Sequence, residues 1–247
     1  SEDAAATLAV VDSLSGLPLS ISVHATGYNA GFGGAVNLAV ASLPDYLDIL
    51  LVNPDCLIDA RVVTELVKAA NADSRIGILA PAMRDMEGKR TISAGGRPTV
   101  LKEWLAKTPI PDMLPRGAVQ IAARCLKRVP YLRHLAAYAK SSEDCETSSY
   151  EWVSGFCMLI RRDCWSDVSG FNEALFMYFE DVGLCRDAQR LGWKVLHVGD
   201  VDARHAGSTS AARVGKSRLY DRGMVSYFNE YGSPLQRWLV RRLGWAS

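Results

Sequence analysis

No apolar run in the 247-residue sequence approaches the roughly 20 residues that span a bilayer, and no charged-then-apolar leader opens it. The expected location is therefore cytoplasmic. The six cysteines, at 56, 125, 145, 157, 164 and 185, form no C-x-x-C pair and no framework spacing, so they read as reduced thiols rather than zinc ligands or bridges. Internal repeats and low-complexity tracts are also lacking, which sets aside solenoids and disordered linkers. An initiating Met is missing as well. Ser1 leads almost at once into a helical pattern over Ala4 to Leu14, where an α/β domain usually opens with a strand, so the natural N-terminus is expected to lie further upstream.

Charge of one sign is not in overall excess, the net value being +1, but it is unevenly spread. Between Arg97 and Lys140 nine Lys/Arg face two acids, and from Arg213 to the end seven face two. The remainder is acidic. Two basic surfaces on an acidic body suggest an anionic partner, whether a lipid surface, a diphosphate or nucleic acid; solvated helices without a partner give the same pattern.

Hydrophobic residues make up 49% of the chain, enough for a real core. Strand patterns at Ile21 to Ala25, Asp48 to Val52 and Ile76 to Ala80 alternate with helical ones at Gly33 to Ser42 and Ala60 to Ala70. That alternation predicts a three-layer α/β/α fold with a mostly parallel central sheet. From Arg84 to Tyr150 the pattern turns loop-like, with helical stretches at Val100 to Lys107 and Val119 to Lys140, the latter interrupted by Pro130. It reads as an elaboration (residues 84–150) inserted into the sheet. The core resumes with a strand at Gly155 to Ile160, a helix from Glu180 to Leu191 stopped by Gly192, and a strand at Lys194 to Val198.

Three places carry chemistry. In "LLVNPDCLID" the apolar strand stops at Asn53-Pro54-Asp55, since Pro54 cannot donate to a ladder, and Asp55 sits at the carboxyl end of a central strand, where open α/β sheets bind ligands. The same Asp also suits a plain turn capping the helix that begins near Asp59. In "GYNAGFGGAVN", Gly31 and Gly33 lie where backbone amides can approach a phosphate, although Val36 takes the third glycine position of a dinucleotide fingerprint. A tight turn without ligand fits as well. In "FMYFEDVGL", Glu180 and Asp181 open a helix whose dipole favours ionised carboxylates, available as proton acceptors, or simply ordinary helix-start acidity. His205 follows a strand and suits a divalent-cation site shared with Asp55 and a substrate diphosphate, or a structural role; His197, inside an apolar strand, reads as a packed core residue.

The ordered set NxGFGGAxN, LLxNPD, WVSGxxMLIRRxxW, GFNExxFMYFEDVxLCxxxxxxGW and H-x-G-x-x-S resembles family 2 glycosyltransferases of the GT-A fold, in particular their rhamnosyltransferase-like branch, over roughly Asn29 to Ser210. The resemblance implies a GT-A catalytic domain over residues 1–212, incomplete at its start, with a basic helical extension over residues 213–247. It implies that Asp55, with Asn53 beside it, and His205 bind Mg²⁺ or Mn²⁺ on the donor diphosphate, and that Asp181 is the catalytic base, flanked by Glu180. It also implies that Asn29, Gly31, Gly33 and Asn37 lie near the nucleotide, and that Trp152, Ser154 and Gly155 lie beneath donor sugar and acceptor. The activity implied is inverting transfer of a sugar, rhamnose from dTDP-rhamnose or another hexose from a UDP-sugar. The acceptor implied is a cell-envelope polysaccharide or polyprenyl-diphosphate-linked sugar at the inner membrane face, and nucleic acid is not an expected partner. A non-catalytic sugar-nucleotide-binding or scaffold homologue would share these motifs. Gly183 stands where the branch often carries Asp, and the branch's first strand and base-binding motif are not seen.

Overall fold

The computed structural model describes residues 20–108, 146–206 and 216–243. The chain divides into two compact units, Ser1–Ala30 and Gly31–Ser247. In the first, residues 20–26 take no regular secondary structure, so the strand expected over Ile21 to Ala25 does not form. Alternating apolar side chains suit a pleated surface, but a strand exists only where a neighbour takes its hydrogen bonds. The helices expected over Ala4 to Leu14 and Val119 to Lys140 lie outside the described residues.

In chain order the second unit contains α1 (Gly31–Val40), β1 (Ile49–Val52), β2 (Cys56–Leu57), α2 (Ala60–Asn71), β3 (Ile76–Arg84), β4 (Arg90–Thr91), β5 (Ala94–Gly95) and α3 (Val100–Ala106). It continues with β6 (Ser148–Ser149), β7 (Trp152–Val153), β8 (Cys157–Ile160), α4 (Arg162–Val168), α5 (Glu180–Arg190), β9 (Lys194–His205), α6 (Lys216–Tyr231) and α7 (Pro234–Arg242). The main sheet runs β1-β8-β3-β9-β2. Because β8 is antiparallel to both β1 and β3 while β9 is parallel to β3, strands β1, β3 and β9 all point the same way.

The sheet is buried on both faces, as its near-continuous apolar strands require. Ile78, Leu79, Met158 and Ile160 are fully enclosed at its centre. On one face α2 lays down Val62, Leu66 and Ala70, spaced four apart so that they form one stripe. On the other, α5 contributes Leu184, Cys185 and Ala188. Cys56, Cys157, Cys164 and Cys185 are buried free thiols, while Cys125 and Cys145 lie outside the described residues.

Two departures from strand regularity position the site. Pro81 sits inside β3 without an N–H to give, and the β3/β9 register shifts there, so that Pro81 faces Val198 and Ala82 faces Asp202. The ladder then resumes, and β9 runs on to His205 instead of ending at Val198 as expected. In the C-terminal helices, Met224, Tyr227 and Phe228 of α6 are buried against Leu175, Phe179 and Val182. The chain's last described helices are thereby fastened to the loop that precedes α5.

Candidate active site

At the end of β1 the turn Asn53-Pro54-Asp55-Cys56 closes with the Cys56 amide donating to the Asn53 carbonyl at 3.0 Å. β2 then pairs antiparallel with the tail of β9, setting Cys56 opposite His205, and the Ala206 amide donates to the Asp55 carbonyl. The consequence is a side-chain meeting: His205 Nε2 lies 3.1 Å from Asp55 Oδ1. Nε2 is buried and is not aligned for a hydrogen bond to that oxygen, so distance and bonding geometry point in different directions. Two ligand atoms of one small divalent cation, each about 2.0 to 2.2 Å from it, stand about 3 Å apart, so the spacing and the orphaned nitrogen both fit a shared metal. The helix-capping role open to Asp55 belongs to Asp59, whose Oδ1 accepts from the Val62 amide at 3.0 Å.

Asp181 occupies the first turn of α5. Its Oδ2 accepts from the Gly155 amide at 3.0 Å and its Oδ1 from its neighbour Val182 at 2.8 Å. Burial raises its pKa and these amides oppose the rise. Protein atoms crowd the carboxylate, yet the residue keeps surface open to the cavity described below, and that opening decides whether a substrate can reach it. Glu180 is pushed up to about 8, first by burial and then by the charge of Asp181. Its Oε2 is buried with no hydrogen-bond partner among the described residues. The expectation that the helix dipole keeps both acids ionised thus fails for Glu180, because loss of hydration outweighs the partial charge of the helix end. Burial raises both acids, and the two amides favour the charge on Asp181.

The loop feeding α5 is strained. Tyr178 and Phe179 have φ of 63° and 65°, a left-handed conformation that large L-residues rarely hold. Such strain persists only where packing over-determines it. Here Tyr220 of α6 packs against both rings, edge-on to Tyr178 at 5.7 Å and tilted to Phe179 at 5.0 Å between centroids.

These parts, Asp55 apart, line one cavity of about 680 Å³, and Asp55 meets it through His205. Of the residues singled out in the sequence, Asn53, Glu180, Asp181 and His205 line it, as do Trp152, Ser154 and Gly155. Trp152 is held by its Nε1 donating to the Gly96 carbonyl at 3.1 Å. Three of the loop residues are not brought there. Gly31, at φ 72°, and Gly33 let α1 approach Phe176 and Phe171 so closely that a Cβ would stand 2.3 and 2.8 Å from their atoms. Asn37 clamps the same segment, its Nδ2 donating to the Phe171 carbonyl and its Oδ1 accepting from the Phe171 amide, each at 2.9 Å. These contacts pack α1 against the stretch before the acids. Asn29 lies in the first unit, exposed.

The cavity also takes residues that sequence reasoning passed over: Lys102 and Glu103 of α3, Tyr220 of α6, and Ile92 and Pro98 between β4 and α3. Glu103 is only 6% exposed, its pKa raised by burial, and Tyr220 Oη donates to its Oε2 at 2.8 Å. Nothing in "TVLKEW" separates a cavity wall from an ordinary amphipathic turn; the signal lies in the fold alone. Among the described residues no group of three or more His, Cys, Asp or Glu is arranged to hold a metal.

A family model described as "Glycosyltransferase like family 2" matches residues 5–221. The chain is 29% identical over 204 residues to an N-acetylglucosaminyl-diphospho-decaprenol L-rhamnosyltransferase of Mycobacterium tuberculosis, covering 78% of this chain and 61% of that protein. It is 24% identical over 183 residues to the low-salt glycan biosynthesis hexosyltransferase Agl10 of Haloferax volcanii, covering 73% and 50%. It thus spans between half and about three-fifths of these curated relatives. Among solved structures, GalNAc-T7 with UDP, GalNAc and Mn²⁺ matches with a TM-score of 0.53 and 13% identity over 92% of this chain and 40% of that one. That likeness bears out the GT-A α/β fold expected from the sequence.

Proposed function

The chain belongs to the glycosyltransferase like family 2, and on that footing we propose that its cavity moves a sugar, rhamnose or another hexose, from a nucleoside-diphosphate donor to a hydroxyl of a polyprenyl-diphosphate-linked or cell-envelope glycan, inverting the anomeric centre. One observation supports this above the rest: His205, in contact with Asp55, and Asp181 border the same cavity. Asp55 and His205 would hold Mn²⁺ or Mg²⁺, which supplies positive charge for a departing diphosphate. Two protein ligands suit a cation that completes its shell with substrate phosphate and water.

Asp181 then takes the proton of the acceptor hydroxyl as its oxygen bonds to the anomeric carbon and the carbon–phosphate-oxygen bond breaks on the opposite face. The Gly155 and Val182 amides fix the carboxylate's direction, and burial makes it a stronger base than a solvated aspartate. The raised pKa of Glu180 limits the negative charge beside Asp181. Trp152 and Ser154 form wall against which a sugar can lie. No helix among the described residues is long and apolar enough to cross a membrane. For a lipid-linked acceptor, the exposed Trp104 of α3 and Trp238 of α7, beside Arg241 and Arg242, would provide an interfacial face.

The deciding experiment is calorimetric titration of dTDP-rhamnose and UDP-sugars with Mn²⁺ and with chelator. The expected result is metal-dependent binding of one donor, weakened about tenfold or more in His205→Ala by loss of a metal ligand. A folded protein that binds none of them would leave the scaffold reading in its place.

A further inference from the structure

Two amides aim the Asp181 carboxylate, but where its backbone stands depends on the turn before it. No side-chain oxygen fixes that turn at the helix start, because the N-cap of α5 is Phe179, whose ring cannot accept from the first amides. Tyr178 and Phe179 both enter the helix in the left-handed conformation, which such residues leave when their surroundings allow it. The position of the acids is therefore set from outside the loop.

Among the described residues, only the Tyr220 ring meets both strained side chains, Tyr178 edge-on and Phe179 tilted. Its far end is fixed as well. The hydroxyl donates at 2.8 Å to Oε2 of Glu103 on α3, and the next residue, Asp221, pairs with Lys107 just past that helix. Glu103 is buried, so its carboxyl has little water to turn to, and losing the Tyr220 hydroxyl would cost it a bond that solvent does not replace. An aromatic ring that only fills space needs no such anchor; here a buried acid fixes the direction of one ring. We propose that Tyr220 is a positioning residue for the base: anchored by Glu103, its ring holds the Tyr178–Phe179 turn, and through it keeps the Asp181 carboxylate at the Gly155 amide, ready for the proton of an acceptor hydroxyl. The assignment rests on the transferase reading, and it deepens that reading by naming what holds the base in place from outside its own helix.

The test uses the full chain and reads position and chemistry separately. Position is read without substrate, by residue-resolved amide hydrogen exchange. Tyr220→Phe, which keeps the ring and loses the hydroxyl, should speed exchange at the Gly155 amide about tenfold, the scale of one hydrogen bond to a charged group, and Tyr220→Leu should speed it further. Ile78 and Met158 at the sheet centre should exchange as in the parent, which shows that the variants are folded; if Tyr220→Leu disturbs them, Tyr220→Phe decides. Chemistry is read as nucleoside diphosphate released in Mn²⁺ from dTDP-rhamnose and from UDP-sugars with water as acceptor: the water oxygen bonds to the anomeric carbon, the bond to the diphosphate oxygen breaks, and Asp181 takes the proton. Tyr220→Phe should lower kcat about tenfold with KM near that of the parent, and cost little further in an Asp181→Asn background, since a residue acting through the base then has nothing to act on. A merely structural residue would cost the same in both backgrounds. Unchanged exchange at Gly155 in both variants, or an equal fall of kcat in the two backgrounds, overturns the positioning role. Where the parent binds donor yet releases no diphosphate, exchange decides. Donor turnover that Tyr220→Phe leaves unchanged removes the Tyr220 assignment alone; faster exchange at Gly155 in a protein that binds none of these donors removes the transferase reading alone.

Discussion

Glu180 and Asp181 are neighbours in unlike settings, and the difference comes from hydrogen bonds. Asp181 receives two backbone amides, whereas Glu180 keeps a buried oxygen without a partner among the described residues. Folding raises the Glu180 pKa from an ordinary value near 4.5 to about 8, so the folded state binds this proton more tightly than the unfolded one. The contribution is neutral below the unfolded value and turns against the fold as pH climbs towards the folded one. Glu180→Gln, which cannot ionise, should therefore melt near the parent at about pH 5 and increasingly above it towards pH 8, as thermal unfolding at each pH would show. A gap that does not widen would mean that Glu180 is hydrated after all. Asp181→Asn should keep donor binding while turnover falls by about 10²-fold or more, and unchanged turnover would remove Asp181 from the chemistry.

At the scale of elements, α6 acts as a strut for the strained approach to α5. Gly223 lets the helix touch the loop backbone: a Cβ there would stand 2.5 Å from the Met177 carbonyl oxygen and 2.8 Å from that of Tyr178. Gly223→Ala should improve helix propensity yet destabilise the protein, by about 1 to 3 kcal/mol as overpacking commonly does, because a backbone carbonyl cannot swing aside like a side chain. Urea unfolding measures this, and a variant as stable as the parent would show the loop is loosely held. Gly183 follows the same logic. A helix interior usually prefers Ala, but a Cβ at Gly183 would sit 2.6 Å from Leu175 Cδ1 and 3.3 Å from Tyr231 Oη. Element identities were legible in the sequence wherever apolar periodicity was strong: α2 begins at Ala60 and α5 at Glu180 as expected, and β1 ends where Pro54 follows. The twelve-residue length of β9 was not, because pairing resumes beyond its irregularity only when β2 and β3 lie alongside.

Across the whole molecule, the basic stretches read from the sequence acquire a face where they are described. α7 carries Arg237, Arg241 and Arg242 beside exposed Leu235 and Trp238, with the Arg242 guanidinium 5.7 Å over the Trp238 ring, and α3 adds exposed Leu101 and Trp104. Aromatic side chains with arginines suit the headgroup layer of an anionic bilayer. Sedimentation with vesicles should therefore show binding to anionic lipid that weakens with added salt and little binding to neutral lipid. Equal, negligible binding to both would remove the membrane from the account.

The sequence by itself determined the class of this protein, because the GT-A resemblance, the alternation of apolar runs and the strand-ending Asn53-Pro54-Asp55 are local patterns that survive without coordinates. It also named the acids and the histidine that meet at the cavity. Only the tertiary structure decided what those residues become. Ladder pairing of β2 with β9 sets His205 against Asp55, burial raises the Glu180 pKa against the pull of the helix end, and Gly31, Gly33 and Asn37 pack against the stretch before the acids. The contact of Tyr220 with Glu103 belongs to the same class, since the two are 117 residues apart and nothing but the fold makes them neighbours.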